Sequence, residues 1–477
     1  MGYKTIVKIW RKIINTENNN GSSNEKESTS SDENCQDRLR TSTPSLLSDL
    51  QLRSTEIGEI AEMPDYENLN TSAVLHYCKH KILRPYLRLL GVMGLRPTSS
   101  DDSEHSSCYC ILVNFHTVQV TIFMCIGYIL QFMACFRRDR GFCYKAKPPI
   151  EIIKSELNPS RIPMENDLCY GNAAFNYAIP STLHLLGYLY TVYLFRIKEN
   201  EQLQNLMERA FLLSSTPVNR GNQKRLVRIL WLFIGLSGVW MLMALSTVTF
   251  MMVTQNIRFQ WVEESPQKVK ELLKIILVIC TLWHDMVQGT IITSYCLQGQ
   301  LLISHLTFLR AKLLQHSIPP IEWMKEISEF KTLLKYFNDE LGPAVCIYTV
   351  INISWAFAGI VWLFKVDSIN IHDSPATCIA IFNVILWISL SIVPFVQAAR
   401  LTTTCSMIQN IGHEVRIRPY VYQGTSGQDL DTILLYTSSL KICARLYRVP
   451  ITGRYLCMIL TIAGVSVLTL GQCNAFS

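Results

Sequence analysis

Long uninterrupted apolar runs dominate the hydrophobic pattern of this chain. A helix needs about 20 mostly apolar residues to cross a bilayer. In each run apolar residues occupy all sides of a helical wheel, which leaves no polar face for water. Strand-like alternation is absent, so the pattern predicts membrane-spanning helices and not an outer-membrane barrel. The seven predicted spans are 108–136, 171–195, 229–255, 272–298, 342–364, 377–399 and 455–473.

Amphipathic stretches extend or separate these spans. Leucines from Leu302 to Leu313 continue the fourth span along one helix face, until Pro319-Pro320 ends that helix. Apolar residues at the same spacing predict a second helix over 323–337 and a third over 433–447. Such faces pack either within one chain or between subunits, and the sequence leaves both open. Together they predict cytoplasmic anchor segments over 299–341 and 400–454.

The composition changes twice before the first span. Residues 1–15 mix basic and apolar side chains, which is typical of a helix on a membrane surface, and a disordered tail is the alternative. Residues 16–65 are rich in Ser, Asn, Glu and Asp and carry too little apolar surface to offset the entropy of ordering. We therefore predict a disordered cytoplasmic tail over 1–72 and an interfacial helix over 73–107.

The distribution of charge predicts the topology. The chain is 49% hydrophobic and 17% charged, whereas soluble proteins carry about 25% charged residues. Its formal charge of +7 comes from basic residues that border the spans, so it does not predict nucleic-acid binding. Basic residues concentrate between spans 2 and 3, 4 and 5, and 6 and 7, which by the positive-inside rule places the N-terminus in the cytoplasm and 474–477 outside. Loop 137–170 opens against this rule with Arg137, Arg138 and Arg140.

Motifs of enzymes and of metal sites are absent from the sequence. There is no GK[ST] loop, no HExxH and no GxSxG, and no CxxC pair or His/Cys cluster. We therefore predict neither an enzyme nor a cofactor or metal ion. Cys143 and Cys169 share a predicted outer loop, where a disulfide and two free thiols are both open.

Polar and aromatic residues inside the spans are the candidate site. Asp285 lies near the middle of the fourth span beside His284, and a charge there is costly and by default functional. A role in ligand binding or gating and a structural polar contact both remain open for this pair. Aromatic walls with a few polar groups suit a small organic ligand, although interface belts and helix packing use the same residue types. The candidate ligand-binding residues are Phe175, Asn176, Tyr177, Trp283, Trp355, Phe357, Trp362, Phe382, Asn383 and Trp387.

Several segments resemble the insect chemoreceptor superfamily, and the arthropod gustatory receptor family in particular. They are KILRPYLRLLGVMGLRP, YLYTVYLFRIKENEQLQNLMERAFLL, LLKYFNDELGPAVCIY and the leucine-rich extension of the fourth span. The superfamily's signature in the last helix is TYhhhhhQF, where h is apolar. Laid over 465–473, it keeps Gln472 and most apolar positions, while Val465-Ser466 replaces Thr-Tyr and Cys473 replaces the final Phe.

The resemblance implies a homo- or heterotetrameric, ligand-gated, non-selective cation channel in the plasma membrane. It implies a cytoplasmic N-terminus, cytoplasmic anchor helices and a small-molecule tastant bound in the outer half of the helix bundle. It also implies that the seventh helix lines the pore, with Gln472 in a ring of amides and with Thr469 and Cys473 at the gate positions. A G-protein-coupled receptor and a transporter are the alternatives. The sequence has no D/E-R-Y after the third span, no NPxxY in the last and no apparent internal repeat.

Overall fold

The computed structural model describes residues 76–96, 107–138, 141–142, 173–198, 206–210, 220–254, 257, 259, 262, 266–367, 374–417, 426–447, 449–459 and 461–462. Most of these residues are helical. The α-helices are α1 (Arg84–Val92), α2 (Ser107–Met133), α3 (Ile179–Tyr193), α4 (Arg220–Thr254), α5 (Gln267–Leu314), α6 (Pro320–Tyr336), α7 (Gly342–Asp367), α8 (Ser374–Gln409), α9 (Ile411–Arg416) and α10 (Gly427–Ser439).

Shorter elements connect these helices. Two antiparallel two-stranded hairpins are present, β1 (Phe136–Arg137) with β2 (Gly141–Phe142), and β3 (Arg445–Leu446) with β4 (Val449–Pro450). Turns of π-helix cover Cys78–Leu83, Ala174–Ala178, Leu194–Lys198 and Phe337–Leu341. The last described residues, 453–459 and 461–462, are helical and are called the C-terminal helical segment below.

Five helical stretches in the described part of the chain are long and apolar enough to cross a membrane. They are Phe115–Met133, Arg225–Val253, Gln267–Leu314, Pro320–Leu363 and Cys378–Arg416, which overlap the predicted first, third, fourth, fifth and sixth spans. The predicted second span is helical from Ala174 to Lys198, but its α-helical part, α3, has only 15 residues. The seventh is described only as far as residue 462. The count of seven and the side of the N-terminus therefore stay predictions.

Helix α5 is the central element of the bundle. Its 48 residues would span about 72 Å at 1.5 Å per residue, far more than the roughly 30 Å of a hydrocarbon core. Every residue from 287 to 302 is buried, and helices α2, α4, α6, α7 and α8 all contact α5. Helix α1 also contacts it, since the Tyr86 hydroxyl donates to the Thr290 carbonyl at 3.0 Å.

The leucine stripe that continues α5 packs within the chain. Leu306 and Leu309 of α5 and Trp323, Ile327 and Phe330 of α6 are fully buried. Of the two open alternatives, packing inside one chain is therefore the one that these side chains adopt. Because these side chains are buried, a contact between subunits in this region would have to use the opposite, exposed faces of the helices. On that side Ile321, for example, is 78% exposed.

The third predicted amphipathic helix is shorter than predicted. Helix α10 ends at Ser439, and Leu440 already has extended backbone angles, so the prediction that one helical face runs through to Tyr447 is wrong. Side chains of neighbouring helices bond to the backbone of 440–447. Because they satisfy backbone groups that a helix would satisfy internally, the chain can leave the helix at this point.

We predict that Leu306→Glu or Phe330→Glu destabilises the folded chain itself. Burying an unpaired carboxylate costs several kcal/mol, and both side chains are enclosed by their own chain. Thermal unfolding of the detergent-solubilised protein measures the loss. Ile321→Glu, at an exposed position of α6, is the control and leaves the unfolding temperature unchanged. Variants that stay fully folded and lose only oligomers would instead assign this stripe to a subunit interface.

Candidate functional site

An arginine that follows strand β1 enters the helix bundle. Arg138 Nη1 donates to Asp285 Oδ2 at 2.7 Å, and the two side chains are only 6% and 2% exposed. The second guanidinium nitrogen, Nη2, donates to the Thr281 carbonyl at 2.8 Å. Asn383 of α8 holds the backbone by donating its amide to the Arg138 carbonyl. Asp285 therefore has an opposite charge as its partner, and one arginine joins the hairpin to α5 and α8.

This pair also accounts for one of the three arginines at the basic start of loop 137–170. Arg138 is buried and paired, so it does not act as a surface charge in the positive-inside count. Sequence reasoning missed Arg138 as the partner of Asp285. Two features of the sequence together could have identified it: a carboxylate inside a span, and a cluster of arginines in a loop that is predicted to be extracellular. Charges buried in a membrane protein usually pair with each other.

Aromatic rings surround the guanidinium. The Arg138 Cζ atom lies 5.7 Å from the Trp387 ring centroid, 5.8 Å from that of Phe136 and 6.0 Å from that of Trp355. Trp355 and Trp387 meet edge to face at 4.8 Å, and Trp387 packs in the same way on Trp240 of α4 at 5.7 Å. Rings at this distance attract a cation, and more strongly where water is excluded. The walls therefore help to offset the cost of removing Arg138 from water.

Two amides close the arrangement into a ring. Gln288 lies one turn after Asp285 on α5 and donates to Asn352 of α7. Asn352 in turn lies one turn before Trp355 on α7. We call the six residues that follow one another in this way the ion-pair ring: Arg138, Asp285, Gln288, Asn352, Trp355 and Trp387.

The ion-pair ring keeps hydrogen-bonding capacity. Four of its buried atoms have no hydrogen-bond partner within the described part of the chain, namely Asp285 Oδ1, Gln288 Oε1, Asn352 Nδ2 and Trp387 Nε1. An unsatisfied polar group in an apolar interior costs up to several kcal/mol. Two acceptors and two donors beside tryptophan rings could hold a small molecule that carries both kinds of group.

A second polar cluster lies beside the ring, around His284. The His284 Nε2 atom is 3.1 Å from the Met124 carbonyl, which can only accept, so Nε2 carries the proton. Its Nδ1 then accepts from the Gln131 amide at 3.3 Å, and Tyr128 stacks on the imidazole at 4.4 Å. Gly127 permits this approach, because a Cβ there would lie 2.8 Å from His284 Cε1. His284 is thus a neutral, fully bonded contact between α2 and α5.

Only part of the predicted ligand set converges. Trp355, Asn383 and Trp387 meet around Arg138. Trp283 packs on Phe123 and Tyr177 packs on Phe132. Phe175, Phe357 and Phe382 are exposed on the outside of the bundle, and Asn176 and Trp362 are half-buried.

The predicted pore residues Thr469, Gln472 and Cys473 lie outside the described residues, as do Cys143 and Cys169. The described side chains include no group of three or more His, Cys, Asp or Glu residues placed to hold a metal ion.

Comparison with known proteins yields a structural likeness only. No protein-family model and no curated protein matches the chain. The chain is similar to the insect olfactory receptor OR5 from Machilis hrabei, with a TM-score of 0.56 and 11% identity over 83% of this chain and 98% of that one. The same receptor in complex with eugenol gives a TM-score of 0.55 and 10% identity, over 84% and 99% of the two chains. The chain therefore shares the fold of this receptor.

We predict that removing either charge of the buried pair destabilises the fold by about 3–5 kcal/mol, because the remaining charge is left unpaired. Arg138→Met and Asp285→Leu should each lower the thermal unfolding temperature strongly, and the double variant should recover most of the loss. Lys274→Met is the matched control, since its pair with Glu271 at 2.9 Å is at the surface, where such pairs contribute at most about 1 kcal/mol. If the buried and surface variants lower the unfolding temperature equally, the Arg138–Asp285 pair does not contribute more to stability than a surface pair.

Proposed function

We propose that the chain is a subunit of a ligand-gated, non-selective cation channel in the plasma membrane, opened by a small-molecule tastant, and thus a chemoreceptor of the gustatory type. Its fold is that of an insect olfactory receptor over most of both chains. The gustatory assignment is supported by the sequence segments that resemble that family and by the retained Gln472. A cytoplasmic N-terminus is supported by the distribution of basic residues among the loops, in which the buried Arg138 is not counted as a loop charge.

The observation that carries the channel proposal is the exposure of the C-terminal helical segment. Its apolar side chains Tyr455, Met458, Ile459 and Ile462 are 46%, 52%, 46% and 59% exposed. A predicted membrane helix that its own chain covers so little borders either lipid or helices of further subunits, and we propose the second for the face that lines the pore. In a homo- or heterotetramer, equivalent helices of further subunits would cover that face around a central axis, with lipid on the outside of the bundle.

The ligand is proposed to bind at the ion-pair ring, between α5, α7 and α8. Trp355 and Trp387 offer aromatic faces, and the unpartnered atoms of Asp285 and Asn352 offer an acceptor and a donor. A ligand that forms a hydrogen bond with Asp285 would weaken the ion pair between Asp285 and Arg138. In this way the pair would take part in gating. Trp283 and Tyr177, with the exposed aromatic residues of the predicted set, are proposed as secondary contacts on the ligand's path from the surface.

The pore is proposed to be lined by residues 455–473 of four subunits. Four Gln472 amides would form a ring near the outer mouth and help to coordinate a partly hydrated cation. Thr469 and Cys473 would occupy the gate, where their small, weakly polar side chains make a less hydrophobic constriction than large apolar residues would.

We predict that cells expressing the chain conduct cations when a small organic compound is applied. The compounds to test are eugenol, the ligand of the structural neighbour, and a panel of small alcohols and sugars. Gln472→Ala should alter cation selectivity or conductance without lowering surface expression, because it removes an amide and not a packing contact. A charged thiol reagent applied from outside should reduce the current through Cys473.

The control for both treatments is Cys473→Ser, which should conduct and resist the reagent. Normal selectivity in Gln472→Ala, together with no effect of the reagent on a conducting wild type, would place the ion pathway elsewhere.

A further inference from the structure

The segment that follows α10 and includes strand β3 of the second hairpin, residues 440–447, is held by side chains of other elements. Gln409 donates its amide to the Leu440 carbonyl at 2.9 Å. The Thr402 hydroxyl accepts from the Ala444 amide at 3.2 Å and lies 3.4 Å from its carbonyl. We call residues 440–447 the clamp segment.

Asn338, in the π-helical turn that leads into α7, binds the clamp segment twice. Its Nδ2 donates to the Cys443 carbonyl at 3.0 Å, and its Oδ1 accepts from the Arg445 amide at 2.9 Å. These bonds replace strand or helix partners for the backbone, which is why an extended segment can lie against helices here. Residues Leu440, Ile442, Ala444 and Leu446 are buried and alternate with less buried neighbours, as in a strand with one face on the core.

Tyr447 fixes the end of the clamp segment. Its backbone has φ 52°, a left-handed conformation that is unfavourable for a tyrosine. Its hydroxyl donates to the Cys346 carbonyl of α7 at 2.9 Å, and its ring stacks on Phe395 of α8 at 6.4 Å. Burial, and then the nearby Cys346 thiol, raise the pKa of the Tyr447 hydroxyl above its ordinary value, so it remains a donor at physiological pH. These contacts hold the strained turn in place.

The clamp segment leads directly into the C-terminal helical segment. The Ile451 amide donates to the Ala444 carbonyl at 3.2 Å and closes the hairpin of β3 and β4. Helix begins again at residue 453. The start of the last helix is therefore positioned by α7 and α8 through 440–447, and not by a continuous helix from α10.

The same two helices contribute Asn352, Trp355 and Trp387 to the ion-pair ring. Trp355 lies nine residues after Cys346 on α7, which is about 14 Å along a helix. Trp387 lies fifteen residues before Thr402 on α8, which is about 22 Å. Pro394, between them, removes one hydrogen bond of α8 and gives that helix a place to bend. Each helix thus contacts the ring at one level and the clamp segment at another.

We infer that the clamp segment links the ion-pair ring to the start of the C-terminal helix, so that a displacement of α7 and α8 at the ring also moves that helix. Thr402 and Asn338 are the positioning residues of this link. This inference rests on the proposed function for its physiological meaning. Its physical content, a mechanical link between the ring and residues 449–459, is independent of whether the chain conducts. Neither residue is expected to touch a ligand or an ion.

The first test uses currents evoked by eugenol, or by whichever panel compound activates the wild type. Thr402→Val and Asn338→Ala should each raise the half-maximal concentration by about tenfold, the usual size of a coupling between two sites, with normal surface expression. Thr402→Ser keeps the hydroxyl and should behave as wild type. Thr404→Val is the matched control, because the Thr404 hydroxyl donates to the Arg400 carbonyl of its own helix.

A wild-type response in both Thr402→Val and Asn338→Ala would overturn the inference and leave the proposed channel intact. If instead the wild type passes no current with any compound, the proposed function fails, and a second measurement still tests the link. It is hydrogen exchange of the backbone amides of 449–459 in the purified full-length protein.

The exchange experiment is a double-mutant cycle. Asn383→Ala, which removes the bond to the Arg138 carbonyl, should accelerate exchange over 449–459 by about tenfold when the clamp contacts are intact. It should have no further effect in a Thr402→Val/Asn338→Ala background, because the link is already broken. Additive effects of the ring and clamp substitutions, or no effect of Asn383→Ala on this region, would overturn the inference.

Discussion

A charged pair inside a membrane bundle constrains everything packed around it. Arg138 and Asp285 can stay in the interior only together, because either one alone would carry the full cost of leaving water. The Arg138 side chain also donates to a backbone carbonyl of α5, and the Arg138 carbonyl accepts a hydrogen bond from Asn383 of α8. Its guanidinium lies near the rings of Trp355 of α7 and Trp387 of α8. The pair and these contacts together fix the hairpin after α2 to three helices.

The same constraint shapes the central helix. In hydrocarbon, polar groups need partners inside the protein, and α5 carries many buried polar side chains along its length. They meet Tyr86 of α1, the α2 residues around His284, and Asn352 of α7. A helix with polar groups on several sides cannot face lipid, which explains why α5 is enclosed from 287 to 302 while α2, α4 and the first turns of α5 expose apolar faces.

The apolar runs were enough to predict most of the helices, because membrane insertion depends on local composition. The partner of Asp285 could not be found in the same way, since residues 138 and 285 are brought together by tertiary folding. The end of α10 was also misjudged. Leu440 and Tyr447 continue a helical apolar spacing, but the bonds that Gln409, Thr402 and Asn338 make to the backbone favour an extended segment. Of the predicted ligand residues, those that converge around Arg138 share no local sequence feature that separates them from Phe357 or Phe382.

The central proposal is that this receptor-like fold contains an ion pathway. The most direct measurement is cation flux into lipid vesicles that contain only the purified chain, with and without a compound that activates it in cells. The account predicts compound-dependent cation flux, with no second protein required if the chain forms homotetramers and with a related subunit added if it forms heterotetramers. Folded, oligomeric protein that binds the compound but passes no cations under either condition would contradict the channel and favour a receptor that signals through another protein.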